Sequence, residues 1–162
     1  MTRRGWTTAA GFLLTVVVYA VMSGVWVDTS SDWYRDLDKP WFQPPDVVFG
    51  IIWPLNFLAL AVVGVLVSRS HLGRAKGALA TFAVSVVFAL GWSYLFSEQR
   101  MPTASAASLV VAALLTWVLV AQLWRARPAY GAGLLVYAGW MTLASALSVG
   151  IAVLSCRSAS PS

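Results

Sequence analysis

The sequence predicts an all-α integral membrane protein, a bundle of five transmembrane helices with a structured first loop. Three observations predict it. Of the 162 residues, 59% are apolar and only 10% are charged, with a mean hydropathy of +0.76. Soluble domains carry roughly 25% charged residues, and a soluble fold of this size lacks the interior to hide so much apolar surface. Five apolar runs reach the length of about 20 residues needed to cross hydrocarbon. Every Asp, Glu, Lys and Arg falls between or beyond those runs. The chain is read as one membrane domain over residues 1–162.

The first run, Trp6–Val27, follows Arg3 and Arg4. It outlasts the 7–15 apolar residues of a usual signal peptide and is read as an uncleaved helix. The second, Val47–Val67, contains Pro54. The proline ring clashes with the carbonyl of Gly50, so a kink beside Trp53 is expected. Phe49, Trp53 and Phe57 recur every four residues, on one face of this helix. The third, Ala78–Phe96, carries Trp92 and Tyr94. The fourth, Ala104–Trp124, spaces the small residues Ala104, Ser108 and Ala112 along one face. The fifth, Tyr130–Leu154, does the same with Ala138, Thr142, Ala146 and Gly150, and places Tyr137 and Trp140 on one face. Small residues let helices approach closely in lipid, so both stripes fit a bundle contact or a homodimer seam. Trp6, Trp26, Trp124 and Tyr130 sit at run ends and are read as interfacial anchors.

The charges outside the runs encode orientation. Arg3, Arg4, Arg69, Arg74, Lys76, Arg125 and Arg127 fall on one side of the membrane, against Arg35, Lys39, Arg100 and Arg157 on the other. All six acids (Asp28, Asp32, Asp36, Asp38, Asp46 and Glu98) share the second side. The positive-inside rule then places the N-terminus in the cytoplasm and the first loop and C-terminus outside. The net charge of +5 is read as topology rather than as nucleic-acid binding.

Several chemistries find no support. No ionisable Asp, Glu, Lys or Arg lies inside a run, which argues against proton relays and ion-coupled transport. His71 reads as a solvated loop residue between Arg69 and Arg74. The single Cys156 allows no internal disulfide. No metal-binding, hydrolytic or redox motif is present, and no metal is expected. What remains is aromatic. The first loop combines Trp33, Tyr34, Trp41 and Phe42 with Arg35, Lys39 and stiffening prolines. A flat amphiphile with acidic groups matches this set, its rings stacked on aromatics and its carboxylates meeting Lys39 or Arg35.

The string Trp33-Tyr34-x-x-Leu37-x-Lys39-Pro40-Trp41-x-x-Pro44-Pro45, followed by Val48-Phe49-Gly50 and Trp53, resembles the signature of the tryptophan-rich sensory protein/translocator protein (TspO/MBR) family. Members are five-helix membrane proteins of about this length, so the resemblance covers nearly the whole chain. It implies a pocket among the helices beneath the first loop, formed here by Trp41, Phe49, Trp53, Phe57, Trp92, Tyr137 and Trp140, with Tyr34 and Lys39 in the lid. It implies a receptor or sensor for porphyrin or a similar flat hydrophobic molecule, with no required cofactor. Two other activities travel with the resemblance. One is light- or oxygen-dependent porphyrin breakdown, for which Trp53 and Trp140 would be the reactive residues. The other is a lipid or tetrapyrrole carrier or regulatory scaffold. Free porphyrin is favoured over haem, because His71 and Cys156 fall outside the pocket segments. The chain departs from the family pattern at Ala89, Val136 and Ser148, where Asn, Pro and Asn are common, and at Pro54 and Asn56-Phe57. Lost polar groups at these positions imply a weaker hydrogen-bond network.

Overall fold

The computed structural model describes residues 3–26 and 31–158. Val27 and Asp28, assigned above to the first run and the first loop, lie outside the described residues, as does the side chain of Arg157. Among the described residues seven helices follow in order: α1 (Arg3–Trp26), α2 (Asp32–Arg35), α3 (Asp46–Ser70), α4 (Leu72–Ser97), α5 (Pro102–Ala126), α6 (Pro128–Ala132) and α7 (Leu135–Ser158). Five of them are long and apolar enough to span a membrane, and no strand occurs among the described residues.

α3, α4 and α5 overrun the predicted spans, while the fifth run, Tyr130–Leu154, is divided between α6 and α7. The largest difference is at α4, which begins at Leu72 rather than Ala78. Arg74 and Lys76 are therefore helical, not loop residues. Charge ended the apolar run, but charge does not end a helix: long cationic side chains reach water from a helical backbone. The second loop shrinks to His71, whose amide donates to the Val67 carbonyl while its own carbonyl accepts from Arg74 and Ala75. Two of the sequence readings are corrected here. His71 is half-buried against Tyr130 at a ring distance of 6.0 Å, not a solvated loop residue. Tyr130 is 5% exposed and donates to Ser70 Oγ at 3.1 Å, so it is no interfacial anchor. The physical reason is α6: Pro128 opens a separate short helix whose turn folds Tyr130 inward.

The surface confirms the membrane reading in a different way. Leu14, Val17, Leu58, Val87 and Leu114 all point outward from mid-helix, an arrangement stable only where the solvent is lipid. Inside, small residues and hydroxyls join the helices. Gly64 of α3 faces Phe12 of α1 so closely that an added Cβ would meet the ring at 2.6 Å. Phe12 in turn lies 6.0 Å from Phe82 of α4. The small stripe of α5 seats α4: Ser108 Oγ donates to the Phe88 carbonyl at 2.7 Å, and Ser85 Oγ to the Ala112 carbonyl at 3.0 Å. Such bonds hold helices together where lipid supplies no hydrophobic drive. The stripe of α7 is split. Ala138 is buried, Thr142 accepts from Trp117 Nε1 at 3.0 Å, Ala146 is exposed, and Gly150 faces the first loop. α3 runs unbroken through Pro54.

Candidate ligand pocket

The first loop is a built lid. Ser31 caps α2, accepting from the Tyr34 amide at 3.3 Å. A turn closes where the Gln43 amide donates to the Pro40 carbonyl at 3.0 Å. Pro40 is buried and seats on α7 at Gly150, where a Cβ would stand only 2.6 Å from Pro40 Cγ. Trp33 and Tyr34 pack edge-on against Phe96 of α4, at 5.2 and 6.3 Å. Lys39 Nζ lies 4.4 Å above the Tyr34 ring, a cation–π contact. Gln43 Nε2 donates to the Tyr34 hydroxyl at 3.4 Å. Burial pushes the Tyr34 phenol above its ordinary value; the Gln43 bond opposes the shift and the nearby Asp46 carboxylate adds to it.

Beneath the lid lies a cavity of about 460 Å³, within the range of small-molecule sites. α3 supplies Phe49, Trp53 and Phe57, the aromatic stripe read from the sequence. Trp53 and Phe57 stack at 5.6 Å. Trp140 of α7 stands edge-on to Phe49 at 5.1 Å and to Trp53 at 6.3 Å. Trp92 and Phe96 of α4 stack at 5.6 Å on the facing wall. The result is two aromatic walls with apolar residues between, suited to a flat ring system.

Of the predicted site residues, Tyr34, Phe49, Trp53, Phe57, Trp92 and Trp140 line this cavity. Trp41 does not: its ring is 96% exposed and turned away. Tyr137 is buried in the bundle core and lies outside the cavity lining. Lys39 is held on the Tyr34 ring, and Arg35 is exposed beside Asp32 at 3.8 Å. Neither cation reaches the lining. Among the described lining residues, the one charged residue is Asp46. The expected pairing of ligand carboxylates with Lys39 or Arg35 is therefore not preformed.

The sequence reading missed the contribution of α1. Tyr19, Ala20, Ser23 and Gly24 all line the cavity. The signal was present: two pairs spaced by four residues, with hydroxyls in an otherwise apolar run. Among the described lining residues, two polar atoms are buried without a hydrogen-bond partner, Ser23 Oγ and Trp140 Nε1. Buried polar groups are nearly always paired, so both mark places where a ligand acceptor would be welcome.

A sequence profile of the TspO/MBR family matches residues 10–154. The chain belongs to the TspO/MBR family. Among curated relatives, it is 29% identical over 126 residues to the "Tryptophan-rich protein TspO" of Archaeoglobus fulgidus, covering 76% of this chain and 80% of the relative. It is 32% identical over 91 residues to the "Tryptophan-rich sensory protein" of Cereibacter sphaeroides, covering 56% and 53%. A third, the "Tryptophan-rich protein TspO" of Chlorobaculum tepidum, is 29% identical over 126 residues, covering 75% and 78%.

Within this TspO/MBR chain, the departures from the family pattern have distinct fates. Ser148 retains a polar role, accepting from Trp92 Nε1 at 3.0 Å. Ala89 is buried in the cavity wall and offers no side-chain hydrogen bond. Val136 is 62% exposed and faces lipid. The expected weakening of the polar network thus applies at Ala89 and not at Ser148.

Proposed function

We propose that this multi-pass membrane protein is a receptor of the sensor type, binding a flat, mainly apolar ligand of the porphyrin class under the first loop. One observation carries the reading: an aromatic cavity whose wall holds two buried, unpartnered polar atoms, Ser23 Oγ and Trp140 Nε1. An apolar pocket with a few convergent polar groups is the usual form of a small-molecule site. The Cereibacter relative bears the name of a sensory protein. The ring system lies between the Trp53–Trp140 wall and the Trp92–Phe96 wall. Its acidic edge points out of the cavity toward solvent, away from the Asp46 carboxylate, and Lys39 would have to leave the Tyr34 ring to meet it.

The test is saturable quenching of tryptophan fluorescence by protoporphyrin in detergent. Trp140→Phe keeps an aromatic ring but removes the unpartnered donor, so affinity falls about fivefold, the value of one hydrogen bond. Trp41→Phe leaves affinity unchanged, because that ring faces away. Absence of saturable quenching, or equal losses in the two variants, overturns the reading.

The orientation belongs to the same proposal. The end bearing Arg69, Arg74 and Arg127 faces the cytoplasm and the lid faces outward. Cys156 is exposed at the lid end. A membrane-impermeant maleimide then labels it in intact cells; protection until lysis reverses the assignment.

A further inference from the structure

The end of the bundle opposite the lid has a chemistry of its own. The starts of α1, α4 and α6 meet there with the ends of α3 and α5. Arg3, Arg4, Arg69, Arg74, Lys76, Arg125 and Arg127 all lie at this end, with no Asp or Glu among them. Among the described residues, none of these cations is ion-paired. A shallow, open cleft lined by His71, Gly73, Arg74 and Ala126 lies between the α3–α4 junction and the end of α5.

The cleft is built on an ordered base. Tyr130 is buried below it, bonded to Ser70, with the His71 ring edge-on to it. The Arg127 guanidinium is held 5.9 Å above the same Tyr130 ring, which limits where that cation can go. His71 Nδ1 is buried and has no partner. A Cβ on Gly73 would meet nothing within 4 Å, so the space in front of it is open. Gly73 also belongs to the first turn of α4, whose amides have no carbonyl four residues back within the helix.

We propose that this cleft binds the phosphate group of an anionic membrane lipid. Charge complementarity selects an anion: Arg74 lines the cleft, Arg127 stands on the Tyr130 ring beside it, and no Asp or Glu lies at this end of the bundle. Position selects a lipid over a free ion. The cleft lies at the ends of apolar spans, and Leu66 and Trp124 are exposed near the ends of α3 and α5, an apolar surface on the same end of the bundle for acyl chains to follow. Arg74 supplies the charge-assisted contact, and Arg127, steadied on Tyr130, closes the other side. Basic clefts between transmembrane helices recognise lipid headgroups in this way. The site is separate from the cavity under the lid and does not depend on what binds there.

The experiment is native mass spectrometry of the delipidated full-length protein, titrated with phosphatidylglycerol or with phosphatidylcholine. Phosphatidylglycerol is retained preferentially. Arg74→Gln reduces that retention about fivefold, the worth of one cation near an anionic headgroup. Gly73→Leu fills the cleft without changing charge and also reduces it. Lys76→Gln removes the same charge from the same helix end but outside the cleft, and retention stays close to wild type. Equal retention of the two lipids overturns the proposal. So does an equal loss in Lys76→Gln and Arg74→Gln, which would show diffuse attraction. Displacement of the lipid by inorganic phosphate alone would assign the cleft to a free anion and overturn the lipid assignment.

Discussion

Replacing Gly150 with alanine tests whether the lid is truly seated on α7. An added Cβ would lie 2.6 Å from Pro40 Cγ, about 1 Å inside ordinary carbon–carbon contact. Pro40 is fixed in a turn by the Gln43 amide and has no flexible end to withdraw. Overpacking of this kind costs about 1–3 kcal/mol. Against it stands the ordinary gain of about 0.5–1 kcal/mol from replacing a mid-helix glycine with alanine. Gly139, on the same helix, isolates that gain, because its Cβ would meet nothing within 4 Å. Thermal unfolding in one detergent compares the pair. Gly139→Ala is expected above wild type, and Gly150→Ala below it, with a gap of about 2 kcal/mol between them. Equal or reversed stabilities would refute the lid–helix contact and the packing argument built on it.

Two further outcomes follow from single contacts. Ser148→Ala removes the acceptor of Trp92 Nε1 and should cost about 1 kcal/mol in thermal unfolding; an unchanged midpoint would mean that the indole finds another acceptor. Tyr34 concerns pH. Its folded-state pKa is raised, chiefly by burial, so its stabilising contribution is complete below the unfolded tyrosine value and is lost as pH rises through the folded value. Wild-type protein therefore loses stability on the alkaline side more steeply than Tyr34→Phe, and parallel alkaline profiles would exclude Tyr34 as the responsible group.

Much of this architecture was legible in the sequence because lipid imposes strict rules. Twenty apolar residues in a row have few options other than a spanning helix, and the five runs became α1, α3, α4, α5 and the α6–α7 segment. Their ends were less legible, because Arg74 and Lys76 stop a hydropathy run without stopping a helix. The four-residue spacing of Phe49, Trp53 and Phe57 translated directly into one wall of the cavity. Trp41 shows the limit: the loop motif reveals that a tryptophan is present, while the turn at Pro40–Gln43 decides which way it points. The role of α1 was hidden for another reason. Tyr19 and Ser23 look like minor interruptions of an anchor until the facing helices show what lies between them.

The connection between α3 and α4 has a mechanical consequence. The two helices are joined through His71 alone, yet at the lid end Trp53 of one and Trp92 of the other stand on opposite sides of the cavity. They form a wedge with a pinned apex. A pinned apex forbids the walls from sliding past each other by a helical turn and leaves only a change of opening angle. If the proposed ligand binds there, ligands of different thickness would be accommodated by splaying at the lid, with the fit graded by width and the register of the two aromatic walls held fixed.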